Sequence, residues 1–128
     1  MVKPAFQATE FVERLPRRPY CTNDPAQGLL IRPQTTALGY RHIQYNPPPH
    51  VSCIVFDVDR KPYMQRREGY QEWRERGLPA PHWIAINPEN GNYHLGYLLA
   101  APVPRTNAAR LKPLRYLAAI EHVLAKKL

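Results

Sequence analysis

The run Val51-Ser-Cys-Ile-Val-Phe-Asp-Val-Asp-Arg60 constrains the fold more than any other stretch of the chain. It is apolar and β-branched as far as Val58, and Pro47-Pro48-Pro49 and Pro62 fence it on either side. So short and so bounded a run reads as a buried strand better than as a helix. Side chains on a strand alternate between its faces, which puts Asp57 and Asp59 together on one face and Phe56 and Val58 on the other. Adjacent carboxylates repel unless a cation lies between them. A divalent, oxygen-seeking ion such as Mg²⁺ suits that place, and it usually arrives with substrate phosphates. The alternative is structural, since aspartate is common just past strand ends, where it hydrogen-bonds its own backbone in a turn. Asp24 is the one other aspartate in the chain, so the pair uses most of that residue type.

Lysine and arginine outnumber aspartate and glutamate by 18 to 10, a net charge of +8 over 128 residues. A field of that sign favours polyanions, nucleic acid first and an anionic membrane surface second, although a merely solvated basic surface has the same composition. No apolar run approaches the roughly 20 residues of a membrane span, and the N-terminus lacks the apolar core of a signal peptide. A cytosolic, single-domain protein is expected. Cys21 and Cys53 are isolated, without the spacing of a metal site or a redox pair, and read as reduced, structural thiols.

Taken in order, the chain suggests a helix from Ala5 to Leu15 stopped by Pro16, then an extended basic stretch from Arg14 to Tyr20. Arg14, Arg17 and Arg18 could meet phosphate and Tyr20 a base, or the stretch could be a plain surface loop. Gly28–Pro33 and Ala37–Tyr45 read as two strands forming a hairpin about Gln34-Thr35-Thr36, with Tyr40, His42 and Gln44 on one side of the second and Arg41, Ile43 and Tyr45 on the other. The triple proline is a stiff boundary between an N-terminal unit, residues 1–46, and the remainder, residues 47–128. Beyond the acidic strand, Pro62 opens a helix that Gly77 closes, with Glu72 and Arg76 on its wet face. Trp83–Asn87 and Tyr93–Ala101 are strands joined through Asn90-Gly91, with His94, Gly96 and Leu98 sharing one face of the second. A glycine beside His94 leaves room for something to approach the backbone. A final helix follows, capped at Thr106 or Asn107, with Leu111, Leu114, Leu117, Ile120, Val123 and Leu124 in an apolar stripe and Pro113 either bending it or starting its main part.

The expected fold class is therefore α/β (α+β): a small N-terminal α/β unit and a βαββα unit, one strand short of the ferredoxin-like, RNA-recognition-motif arrangement. In such a sheet the first and third strands are central neighbours, and Asp57, Asp59 and His94 can converge on one surface.

Three strings, Phe56-Asp-Val-Asp-Arg60, Asn87 to Tyr97 and Arg110 to Glu121, together with Leu15-Pro-Arg-Arg-Pro-Tyr-Cys21 and Leu30-Ile-Arg-Pro33, resemble the replicase family of colicin-E-type plasmids. Its members belong to the archaeo-eukaryotic primase superfamily and make a primer at the plasmid origin. The hydrophobic-Asp-hydrophobic-Asp motif of that superfamily is matched by Phe56 to Asp59, and its small-x-His motif by Asn92-Tyr93-His94. The resemblance implies a primase-type fold and DNA-templated nucleotidyl transfer. Asp57 and Asp59 would hold Mg²⁺ or Mn²⁺, and His94 would bind the phosphates of a nucleoside triphosphate; Arg60, by its place beside the acidic pair, could add a bidentate donor to that phosphate or be an ordinary surface arginine. Plasmid-origin DNA and a single-stranded template are the implied partners.

A third acidic motif on a strand after the last helix has no match, since Glu121 lies within that helix. The chain is therefore expected to be the amino-terminal piece of a longer initiator, inactive by itself, with an unpaired sheet edge open to self-association. Two other readings stand beside this one: a non-catalytic module binding single-stranded DNA, and a metal-dependent nuclease.

Overall fold

Tyr93 and Leu95 are among the most deeply buried side chains, and the strand that carries them organises the molecule. The computed structural model describes residues 11–59, 72–87 and 89–128. Residues 11–13 are helical (α1), and β1 (Tyr20–Thr22), a 3-10 turn (Pro25–Gln27), β2 (Leu30–Ile31), α2 (Gln34–Ala37) and β3 (His42–Ile43) complete the N-terminal unit. Next come β4 (His50–Val58), α3 (Glu72–Glu75), β5 (Trp83–Ile86), β6 (Tyr93–Pro104) and α4 (Leu111–Lys127). The protein is thus mixed α/β, built on two three-stranded antiparallel sheets ordered β2-β1-β3 and β4-β6-β5.

In the larger sheet β6 runs between β4 and β5 and is antiparallel to both, so β4 and β5 are parallel to each other with a third strand between them. This is the split βαβ arrangement of ferredoxin-like units. The first and third strands of this unit are neighbours, as expected, while β4 lies at the edge of the described sheet. Alternation sorts the side chains. Ile54, Phe56, Val58, Tyr93, Leu95 and Tyr97 point into the main core. There they meet Leu117, Ile120 and Leu124 of α4, and Trp73 and Leu78 at the end of α3.

The small sheet departs from the expected hairpin. The segments Gly28–Pro33 and Ala37–Tyr45 do not pair with each other; β1 lies between their strands, joined to Ile31 and Leu30 on one side and to Ile43 and His42 on the other. The reason lies in the connection. Gln34–Ala37 coils into a helical turn, which carries the chain across β1 to its far side. The hairpin of the larger sheet closes wider than a two-residue Asn-Gly turn, with Asn87 N–H donating to Asn92 O at 2.8 Å.

Two expectations for the last helix are corrected. Its N-cap is Arg110, without a side-chain cap bond, and not Thr106 or Asn107. A start at 107 would bury Pro113 in the helix interior, where it would break a backbone hydrogen bond; starting at Leu111 leaves Pro113 in the first turn, where no N–H is needed. Its apolar stripe is also narrower than expected, because Leu111 and Val123 remain exposed while Leu117, Ile120 and Leu124 make the contact with the sheet. Most of the helix expected from Pro62 lies outside the described residues. Its end follows the expected form: Gly77 takes φ 75°, Gly77 N–H bonds to Arg74 O and Leu78 N–H to Trp73 O, while Arg76 pairs with Glu72 at 3.2 Å. Gly77 suits this left-handed position because it has no Cβ.

The triple proline is fastened to the other end of the larger sheet. Arg105 donates from its guanidinium to Pro47 O at 2.8 Å and Pro48 O at 2.9 Å, and from its backbone to Pro49 O. Both cysteines are free and buried, as expected.

Candidate functional site: a cleft between the two sheets

The face of the larger sheet opposite α4 is covered along only part of its length. Cys53, Trp83 and Leu98 pack there against Leu15, Phe11, Ile43 and Tyr45 of the N-terminal unit. Phe11 meets the rings of Tyr45 and Trp83 edge-on at centroid distances of 5.1 and 5.0 Å, a favourable aromatic geometry. Further along the same face Val55 and Asp57 are exposed, and the small sheet overhangs them without closing down. The space left between is an open cleft, lined by Asp57, Asp59, His94 and Ala85 from the larger sheet and by Arg41 and His42 from the N-terminal unit.

Three of the four residues singled out in the sequence come together here. Asp57 and His94 are direct cross-strand partners on β4 and β6. His94 Nε2 lies 3.1 Å from Asp57 Oδ1, and the two side chains are 50% and 68% exposed, so the pair is reachable by a ligand. At that distance the two groups form an ion pair when the ring carries a proton. Asp59 lies two residues on, on the same face and exposed. Arg60 lies outside the described residues. Strand alternation decides this grouping: a slip of one residue in register would move both carboxylates into the core.

The glycine next to His94 plays a different part from the one expected. Gly96 faces Trp83 across the β5–β6 pair, and a Cβ at Gly96 would fall inside the indole ring. What approaches the backbone at Gly96 is therefore Trp83 and not a ligand, and the packed ring forms the end wall of the open part of the face. Arg14 is likewise occupied, donating to Leu99 O at 2.8 Å, and Tyr20 lies within β1.

The fit of a divalent ion can be judged from the donors. Among the described residues no group of three or more His, Cys, Asp and Glu side chains is arranged to hold a metal, so a closed cage of the zinc type is not formed. Two exposed carboxylates at the mouth of an open cleft suit Mg²⁺ or Mn²⁺ instead, ions that take one or two protein carboxylates and fill their remaining positions with water and phosphate oxygens. Asp57 lines the cleft while in contact with His94 through Oδ1.

Arg41, His42 and Glu89 are the cleft residues that sequence reasoning missed. Alternation put Arg41 on the same side of its strand as Ile43 and Tyr45, a signal that would have placed it over the larger sheet had the docking of the two units been known. Nothing in the spacing marked Glu89, which reaches the rim because the β5–β6 loop carries it there.

The fold and this cleft define a mixed α/β protein with a carboxylate–histidine cluster on an open sheet face, in a chain of net charge +8. The chain belongs to the Replicase family, whose sequence profile matches residues 14–128. No curated protein and no solved structure matches it. Among the described residues no helix is long and apolar enough to cross a membrane.

Proposed function

We propose that the chain carries the nucleotidyl-transfer site of a plasmid replication initiator of the colicin-E type, a primase that extends a primer on a DNA template. Membership of the Replicase family supports a role in replication. The observation that carries the finer reading is the gathering of Asp57, Asp59 and His94 on one open sheet face, with Asp57 and His94 in contact.

In this reading Asp57 and Asp59 hold Mg²⁺ or Mn²⁺. A divalent ion bound there would neutralise phosphate charge and orient the attacking 3′-hydroxyl. The short aspartate side chains keep their oxygens close to a rigid strand, which fixes where a triphosphate can rest. His94 lies against Asp57; were the charge of Asp57 taken up by a bound cation, the His94 Nε2 side could donate to a phosphate oxygen. Trp83 blocks one end of the face, so a ligand enters from the side of the β5–β6 loop.

The test is binding of Mn²⁺, followed by its paramagnetic resonance signal, with and without ATP. Wild type is expected to bind Mn²⁺, and to bind ATP only in its presence. Asp57→Ala and Asp59→Ala should each lower Mn²⁺ affinity at least tenfold, whereas His94→Ala should spare Mn²⁺ and weaken ATP. Equal Mn²⁺ binding by wild type and the double aspartate variant would overturn the assignment. Nicked DNA in place of extended primers, when the protein is given template, Mg²⁺ and nucleotides, would replace polymerase by nuclease.

A further inference from the structure

The cleft has two walls, and the chemistry assigned so far uses only one. Arg41 stands on the other, immediately before β3, and lines the cleft together with Asp57, Asp59 and His94. It also lines the adjoining stretch of the same trough, over Val55, Ala85 and His94. Its backbone is fixed, with Arg41 N–H donating to Asn23 Oδ1 at 3.0 Å, and the next residue is paired with Thr22 in β1. Ile43 and Tyr45, on the same side of the strand, pack on Trp83 and Cys53 of the larger sheet. Arg41 is exposed and lines the cleft beside the acidic cluster, where that packing stops. Among the described residues its guanidinium has no carboxylate partner, although carboxylates line the same cleft.

An arginine that is anchored by its backbone, has no carboxylate partner among the described residues and lines the same cleft as Asp57 and Asp59 is suited to a multiply charged anion, since its planar guanidinium donates in a fork that matches phosphate oxygens. We propose that Arg41 grips the phosphate tail of the nucleoside triphosphate whose metal is held by Asp57 and Asp59. The nucleotide then bridges the N-terminal unit and the larger sheet. This rests on the reading of the acidic pair as a metal–nucleotide site. It adds that half of the phosphate grip comes from a different unit of the fold, which makes nucleotide binding a clamp between the two sheets.

The experiment compares wild type, Arg41→Ala and Arg41→Lys for affinity toward Mn²⁺ alone, ATP with Mn²⁺, and a single-stranded DNA oligonucleotide, with amide hydrogen exchange across β1 and β3 as a second measurement. Arg41→Ala is expected to bind Mn²⁺ as wild type does but to weaken ATP with Mn²⁺ by about tenfold or more. Arg41→Lys should recover part of that loss, because the charge is kept and the fork is not. Adding ATP and Mn²⁺ should slow exchange at residues 20–22 and 42–44 of wild type but not of Arg41→Ala. If Arg41→Ala keeps full ATP affinity, the proposal is wrong; if it loses only DNA affinity, the residue belongs to the template strand and the proposal is equally wrong. Absence of Mn²⁺ and ATP binding in wild type would bring down the metal–nucleotide reading itself and this proposal with it.

Discussion

The pairing of Trp83 with Gly96 shows how much one residue can decide at this site. Glycine ordinarily weakens a strand, because it has no side chain to pack. Here the missing Cβ admits a large aromatic ring flat against the backbone, one way in which sheets restore packing over a glycine. Trp83 is 3% exposed in consequence, and it forms the floor on which Tyr45 and Phe11 of the N-terminal unit rest. Gly96→Ala must displace the indole. The expected cost is roughly 1–3 kcal/mol, as for other overpacked cores, measured as a lower urea midpoint with an unchanged slope. A midpoint equal to that of wild type would mean that the ring does not lie where it is placed here. That His94 shares this face, two residues earlier, was legible in the sequence, because alternation on a strand needs no tertiary information. The role of Gly96 was not, because the sequence does not say which residue of β5 stands opposite.

At the level of elements, the critical join is between β4 and the linker before it. The pairing of β4 with β6 shifts register between Val51 and Cys53, since Val51 faces Val103 whereas Cys53 faces Leu98. Backbone groups at such an interruption need other partners. Asn46 supplies them: its Oδ1 accepts from Ser52 N–H at 2.9 Å and Cys53 N–H at 3.0 Å, and its Nδ2 donates to Cys53 O at 2.7 Å. The side-chain amide thus serves β4 as one peptide unit of a neighbouring strand. Asn46→Ala should cost roughly 2–3 kcal/mol by leaving part-buried peptide groups unpaired. Asn46→Asp keeps the acceptor and loses the donor, so it should cost less than alanine does. Reversal of that order in denaturant titrations would count against this account. The strand itself, with its two carboxylates on one face, was readable from composition and alternation. The register shift and its repair were not, because they depend on where β6 leaves the ladder, a matter of three-dimensional fit.

Across the whole molecule, the core on each face of the larger sheet holds buried groups that resist ionisation. Burial pushes the Cys53 thiol up from 9.0 to about 12, with the nearby Trp83 side chain and Tyr97 backbone opposing the shift in part. Burial raises Tyr97 from 10.0 to about 12, with Tyr93 adding to it, and Tyr45 also moves up, from burial first and Cys53 second. All three groups keep their protons in the native state at pH values where the unfolded chain gives them up. The unfolded state then binds fewer protons, so stability must fall as pH rises. The contribution is whole below about pH 9, where the unfolded thiol begins to ionise, and is lost progressively toward pH 12. Each group titrating in one state only contributes a slope of about 1.4 kcal/mol per pH unit. Urea midpoints measured from neutral pH upward are expected to hold level to about pH 9 and then decline steeply, with tyrosine ionisation in the ultraviolet appearing in step with unfolding. Midpoints that stay level to pH 11 would contradict the burial of these groups.

The sequence by itself determined the strands that alternate strongly, the shared face of Asp57 and Asp59 and the end of the helix at Gly77. All of these follow from the geometry of a single strand or a single helix end. Tertiary structure alone decided that β1 separates β2 from β3, that Trp83 fills the gap over Gly96, and that the N-terminal sheet overhangs the acidic face to bring Arg41 across from it. Those outcomes depend on which surfaces bury each other, and burial is a property of pairs of elements that no local pattern encodes.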